Sequence, residues 1–381
     1  MKIIIAPQTF KGSLTANEAA DCIYEAALGI FPDAKLLKLP IADGGDGTLE
    51  ALADRKKGEI LKSTVVGPLR VTIDAEWGIL NKSPNKLAII EMARSSGLAL
   101  LDPMKLDPVN ATSFGTGQLI LDAINRGANK IILGIGGSAT NDCGVGAAQA
   151  LGVKFITKKG IFYSDSIYDF RMIEAIDLSE LHPKISNIDI EVACDVVNTL
   201  CGDEGASYIY GPQKGANNDQ IKLLDESLFH LSQIIKKDIG IDVLTIKGGG
   251  AAGGMGAGMV AFFNANLRSG VDIIFETLNI ENQIKDANLI ITGEGQFDIS
   301  STYNKAPSAI GKLGMKYNIP TLGVSGSFGK GFEKLDEYGI LSKSSLINQI
   351  SSLETNIKNA KKLLKIAIQE QLKAVKIGMN L

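Results

Sequence analysis

Residues 134–152 read GIGGSATNDCGVGAAQALG, and the fold turns on how this stretch is read. The apolar run Lys130-Ile-Ile-Leu133 precedes it and an Ala- and Leu-rich run, 145–151, follows, which predicts a buried strand, a polar turn and then a helix. Glycines in such a turn let backbone approach a ligand with no Cβ in the way, and the helix behind aims free N–H groups at an anion. Gly136, Gly137, Ser138, Thr140, Asn141 and Asp142 are therefore candidate phosphate contacts. Gly134, Gly136 and Ala139 also fit a G-x-G-x-x-A dinucleotide fingerprint. The following residues, GVKFITKKG at 152–160, supply no acid at the spacing a ribose contact needs, which counts against that reading.

The same pattern recurs on both sides. Lys2 to Ala6 predicts a strand, Thr15-Ala-Asn-Glu18 is a capping box that opens a helix, and Lys11 in the loop between them is a candidate anion contact. A strand over 36–41 ends in Ala42-Asp-Gly-Gly-Asp-Gly47, where Asp43 and Asp46 suit Mg²⁺, a hard cation that takes carboxylate oxygens and keeps several waters. A helix is expected over 48–57. From 59 to 92 the character changes to successive strands, 60–66, 71–77 and 87–91, which argues for a domain boundary near Gly58. A helix over 115–126 leads into the opening stretch.

Downstream, a strand over 188–193 ends in Asp195 and Asn198, a third polar strand end. The glycine-rich run 248–258 contains Gly253 and Gly254, read as a turn before a helix that reaches Leu267; it is not a P-loop, since no G-x-x-x-x-G-K-[ST] occurs. A strand over 288–292 ends in 293–298, with Glu294 and Asp298, and Lys305 opens the next helix. A strand over 320–324 and one long helix, 353 to about 377, close the chain. Nothing between 160 and 184 is informative.

At 381 residues the chain suits two or three domains by a prior of ~150 residues each. A net charge of −3 with one Trp gives no electrostatic or stacking footprint for nucleic acid. Four cysteines without C-x-x-C spacing and two histidines apart from them indicate no zinc site, and the thiols are read as reduced. The N-terminal apolar run is too short for a signal peptide and 251–263 too short to span a bilayer, so a cytoplasmic protein is expected. His230 reads as a packed helix residue.

Six blocks taken together resemble the glycerate kinases of the bacterial glycerate 2-kinase type, type I, over essentially the whole chain. They are Ile5-Ala-Pro7 with Phe10-Lys-Gly-Ser13, then 42–47, 136–142, Gly211-Pro-Gln-Lys-Gly-Ala216, 253–258 and Thr292-Gly-Glu-Gly295. The resemblance implies an α/β protein of two domains: a Rossmann-like parallel-sheet domain from 1–60 with 285–381, and an inserted mixed α/β domain, 61–284, with the active site in the cleft between them. It implies ATP and Mg²⁺ as cofactors and phosphorylation of D-glycerate, 2-phosphoglycerate being favoured. Asp195 or Asp142 is the expected base, Asp43 and Asp46 the metal ligands, and Lys11 and Lys214 the contacts to substrate carboxylate or γ-phosphate. Glycerate and ATP are the expected partners, with no nucleic acid or membrane, and a homodimer is left open. The chain departs from the family at Gln8 and Thr9, where Asp-Ser is usual, at Gln296 for Arg, at Asn304 for Gly and at Cys143 for Gly. Alternatives are a kinase of a related hydroxy acid, a nucleotide-dependent oxidoreductase, and a non-catalytic metabolite-binding protein derived from a kinase.

Overall fold

The computed structural model describes residues 1–41, 48–49, 52, 58–82, 85–161, 167–303 and 305–379. Asp43, Asp46 and Asn304, and most of the helix expected at 48–57, lie outside the described residues. In chain order the strands are β1 (Lys2–Pro7), β2 (Lys35–Lys38), β3 (Glu59–Val66), β4 (Thr72–Lys82), β5 (Asn85–Glu91), β6 (Lys130–Gly134), β7 (Lys154–Thr157), β8 (Gly160–Ile161), β9 (Ala175–Asp177), β10 (Asp189–Ala193), β11 (Asn266–Arg268), β12 (Leu289–Phe297), β13 (Thr321–Phe328) and β14 (Ser342–Ser345). The chain divides into two compact units, 1–43 with 271–381 and 44–270. A boundary at 60/61 would cut β3, whose Glu59 and Ile60 already pair with Ile79 and Gly78. The helices Gly270–Leu278 and Ile280–Ile284 fall almost wholly in the unit that holds both chain ends.

In that terminal unit the sheet order is β14-β13-β12-β1-β2, and every pairing is parallel. Ile3, Ile4 and Ile5 are fully buried, as expected of a central parallel strand covered on both faces. The helix Ala16–Ile30 starts at Thr15, whose hydroxyl accepts from Glu18 N–H while the Glu18 carboxylate accepts from Thr15 N–H. Its buried Ala19, Ile23 and Ala27 share a core with Leu364, Ile368 and Leu372 of the helix Ala360–Gly378. Each of the Ile and Leu side chains among these contributes about 1.5–3 kcal/mol by burial. From β1 the chain moves to β2 on one side, whereas β12, β13 and β14 run outward on the other. The winding direction therefore reverses between β1 and β12, and in open parallel sheets ligands bind outside the carboxyl ends at that reversal.

The second unit holds a mixed sheet, β11-β10-β6-β5-β4-β3. β3, β4 and β5 form an antiparallel meander, and β5, β6, β10 and β11 run parallel. Register pairs Glu91 with Gly134 and Gly134 with Ala193, so three parallel strands end on one row and their loops leave the sheet together. Trp77 is fully buried in this core and donates its indole N–H to Ser63 Oγ at 2.8 Å.

Besides shifts of strand bounds at β2, β4 and β13, four regions differ from the sequence reading. β12 continues to Phe297 because it keeps pairing with β13 as far as Phe297 with Phe328, so Glu294 lies in a strand and not in a turn. The helix Ala251–Phe263 ends before Leu267, and Asn266–Arg268 instead pairs with β10. The last helix is two, Leu353–Lys358 and Ala360–Gly378, broken at Asn359. Between 160 and 184 the chain completes a small antiparallel sheet, β8-β7-β9.

Candidate functional site

In the unit 44–270 the loops after β5, β6 and β10 carry the polar residues singled out above. After β6 the chain turns through Gly136 and Gly137, both exposed, and then buries Ser138, Thr140, Asn141 and Asp142. The turn is tied to the segment after β5: Leu98 N–H donates to Gly137 O at 2.8 Å and Ala139 N–H to Ser96 O at 2.9 Å. Ser95, Ser96, Ser113 and Thr116 add a cluster of buried hydroxyls there, with Thr116 Oγ1 donating to Ser96 Oγ at 3.0 Å. No sequence motif marks this cluster; its signal is only a run of small polar residues around a helix start.

Asp142 is spent on structure. Its Oδ2 accepts from Ser113 N–H and Ser113 Oγ, each at 2.8 Å, and from Gly146 N–H at 3.3 Å, while Oδ1 accepts from Gly144 N–H at 3.2 Å. Burial raises its pKa from the usual carboxylate value, and those donors, Ser113 first, oppose the rise by favouring the anion. Lys214, placed by the short helical turn Pro212–Lys214, is 1% exposed. Its ammonium donates to Ser138 Oγ at 2.9 Å and to Thr140 O at 2.6 Å. Burial pulls the Lys214 pKa down to about 7, partly opposed by the charge of Asp142. Lys214, expected as a contact to substrate carboxylate or γ-phosphate, is here bonded to the turn after β6.

Two buried acceptors in this turn, Thr140 Oγ1 and Asn141 Oδ1, have no hydrogen-bond partner among the described residues. Asn141 Nδ2 donates to Ser207 Oγ at 3.1 Å, which fixes the amide orientation. A buried unpaired oxygen is unfavourable by about 1–3 kcal/mol unless a ligand donor or water meets it, so the turn is chemically suited to bound polar groups.

Gly253 and Gly254, candidate phosphate contacts, pack closely against the turn after β6. Ala252, Gly253 and Gly254 have φ of 54°, 70° and 89°, and the regular helix begins only beyond them. A Cβ on Gly253 would lie 2.1 Å from Thr140 O, and one on Gly254 3.0 Å from Cys143 Cα. Cys143 N–H donates to Gly253 O at 3.0 Å. These glycines let the 251–258 segment pack on the back of the 140–144 turn. Cys143 itself has φ 51° and is fully buried, so the position where the family usually has glycine does adopt the left-handed backbone that favours it.

After β10, Asp195 is exposed and its Oδ1 accepts from Gly270 N–H at 3.1 Å. Asn198 is half-buried and held from both ends: Tyr210 OH donates to its Oδ1 at 2.7 Å, and its Nδ2 donates to Glu204 O at 2.8 Å. His230 lies on the helix Asn218–Asp238 and meets Ile173 O through Nε2 at 2.8 Å, a packed position away from these loops.

In the terminal unit, Lys11 is exposed at the tip of the loop after β1, where buried Phe10 pairs with Leu14. A Cβ on Gly295 would lie 2.9 Å from Lys11 N, so loop and β12 are in direct contact at the point where the sheet reverses. Glu294 is buried in β12 beside them. Beyond β12, Asp298 Oδ1 accepts from Ser300 N–H at 2.8 Å and Ser300 Oγ at 2.6 Å, and Lys305 Nζ donates to Ser300 Oγ at 2.9 Å. The Ser300 hydroxyl, then its N–H and the Lys305 charge, hold the Asp298 carboxyl below its usual range. Among the described residues no group of three or more His, Cys, Asp or Glu side chains is placed to hold a metal, and no helix is long and apolar enough to cross a membrane.

Comparison with known proteins gives a consistent result. The pattern of the glycerate kinase family matches residues 3–376. The chain is 44% identical to glycerate 2-kinase of Escherichia coli K12, over 94% of each chain, and 42% identical to glycerate kinase of Halalkalibacterium halodurans, over 96% of each. A crystal structure of a Salmonella typhimurium LT2 protein assigned as glycerate kinase 2 superposes with a TM-score of 0.90 at 41% identity, covering all of both chains.

Proposed function

This chain belongs to the glycerate kinase family, a family of phosphotransferases, and from that premise we propose that it transfers the γ-phosphoryl group of ATP to D-glycerate, with 2-phosphoglycerate as product. The observation that carries the reading is the extent of the match, 3–376, which takes in every strand-end loop described above. The geometry is compatible with it. Phosphoryl transfer asks for positioning and for charge neutralisation more than for covalent chemistry. In the unit 44–270, exposed Gly136 and Gly137 and the unpaired oxygens of Thr140 and Asn141 offer a polar seat after β6; in the terminal unit, exposed Lys11 offers a cation after β1.

Asp195, exposed after β10, is proposed to orient the acceptor hydroxyl, whereas both Asp142 oxygens accept hydrogen bonds from the turn itself. Glu294, Asp298 and Lys305 are proposed to line the nucleotide side. Mg²⁺ would be held by Asp43 and Asp46, whose carboxylates have the hard-oxygen chemistry it prefers, and would supply charge neutralisation at the phosphates. A coupled ADP-release assay with D-glycerate, ATP and Mg²⁺ tests the function, with separation of 2- from 3-phosphoglycerate reading the position. Turnover with glycerate is expected to exceed that with other small hydroxy acids; an unchanged ADP background across the whole panel would remove the kinase reading. Asp195→Asn is expected to lower kcat about 10²-fold with little change in KM.

A further inference from the structure

We propose that Ser138 and Lys214 form the proton-accepting pair of the transfer, with Ser138 Oγ touching the acceptor hydroxyl and Lys214 Nζ acting behind it as a positioning residue. The inference rests on the kinase reading above and adds to it the identity of the group that takes the proton. Three observations carry it. Ser138, 4% exposed, stands directly after the exposed Gly136-Gly137 turn, in the loop that leaves the carboxyl end of β6. Lys214 Nζ lies 2.9 Å from Ser138 Oγ, and the residue is 1% exposed. Thr140 O, at 2.6 Å, accepts one Nζ hydrogen and so aims the rest of the amino group at Ser138. Asp142 is worse placed as a base, since it would have to give up four hydrogen bonds to titrate toward a ligand.

The environment of Lys214 suits the role. Asp142 is the charged group that acts on it among the described residues. The neighbouring helix Ala206–Tyr210 presents Ser207, which is engaged by Asn141, and the chain at Leu106 packs against Gly215 with its Cβ and backbone carbonyl, adding no charge. Burial leaves the amine close to half neutral near pH 7, where a lysine both accepts and returns a proton readily. The step balances as follows. The acceptor oxygen forms its bond to the γ-phosphorus as the bond from that phosphorus to the bridging oxygen breaks and the nucleoside diphosphate leaves with the electron pair. The hydroxyl proton passes to Ser138 Oγ, Ser138 passes its own proton to Lys214 Nζ, and the resulting ammonium later returns it to water.

Two measurements test the pair. In the intact protein without substrate, ¹³Cε spectra of labelled lysines are expected to show one resonance titrating near pH 7 that is lost in Lys214→Arg. A spectrum in which every lysine titrates above about pH 9 would overturn the proposal. In steady-state kinetics at saturating ATP, wild-type kcat is expected to fall on the acid side of pH 7. Ser138→Ala is expected to lose about 10²-fold in kcat, with KM for glycerate within about threefold, and to lose that acid limb. Lys214→Arg keeps the charge and the donors but cannot accept a proton, and is expected to fall equally; turnover within threefold of wild type would overturn the pair and leave Lys214 a scaffold. If Lys214→Arg does not fold, Ser138→Ala decides: retention of the acid limb, or its loss only in Asp195→Asn, overturns the proposal. An inactive wild type removes the kinase reading and the pair with it, whereas an active wild type with indifferent variants removes the pair alone.

Discussion

The loop cluster at the end of β6 and the loop cluster at the end of β1 and β12 are built on the same kind of parallel strand end, yet they use polar residues in opposite ways. At β6, Ser138, Thr140, Asn141, Asp142 and Lys214 are all buried, and the side chains of all but Thr140 bond to other parts of the same unit. At β1 and β12, Lys11 and Gln296 are exposed, and Asp298 and Lys305 are half-buried in a short local network. The difference teaches that residue type at a strand end does not say whether a side chain serves the ligand or the turn that presents it. Burial decides, because an unpaired buried charge is far more unfavourable than an exposed one.

Substitutions can break this contrast. The largest effect is expected for Asp142→Ala, which removes a buried carboxylate and strands the N–H groups of Ser113, Gly144 and Gly146; a loss of about 3–5 kcal/mol is expected, read as a drop of roughly 10 °C or more in the thermal transition. Next is Gly253→Ala. It forces a Cβ toward Thr140 O at 2.1 Å in a left-handed backbone, and about 2–4 kcal/mol of destabilisation is expected by the same measurement. A stable Gly253→Ala protein would mean that the 251–258 segment is not locked on the turn.

The pH dependence sharpens the comparison from another side. Lys214 has a folded pKa of about 7, below its unfolded value, so between these values the unfolded chain binds one more proton than the native one. The penalty of burying the ammonium is therefore fully present below pH 7 and is relieved as pH rises. The thiols of Cys22, Cys143, Cys194 and Cys201, which burial pushes up, act in the opposite direction as pH passes the ordinary thiol range of about 8–9. Stability is expected to rise by about 1 kcal/mol from pH 7 to pH 8, and Lys214→Met is expected to flatten that slope. The smallest effect on folding belongs to Lys11→Ala. Its melting temperature should stay within about 1 °C of wild type while KM for a phosphate-bearing or carboxylate substrate rises about tenfold, since an exposed lysine contributes by charge and not by packing. A Lys11→Ala protein that unfolds would make the two clusters alike.

Much of this was readable in the residues. The strand, turn and helix around 134–150 followed from periodicity, the Thr15 capping box from its spacing, and the meander from strands without intervening helices. The family was readable from six blocks in order. Other features were not. Asn266–Arg268 is three residues long and becomes a strand only because β10 offers it an edge. Glu294 reads as a turn residue because glycines flank it, but pairing with β13 carries the strand through them.

The chain's own residues determined which side chains gather at strand ends, because hydrophobic period, caps and glycine placement act over a few residues and need no partner. Which of those side chains face a ligand was decided only by the tertiary structure. Lys11 and Lys214 are each one lysine in a glycine-bearing loop; one ends exposed and the other 1% exposed behind Ser138. Burial depends on what long-range packing brings over a residue, and for Lys214 that cover is assembled from the turn after β6, 74 and 76 positions away along the chain.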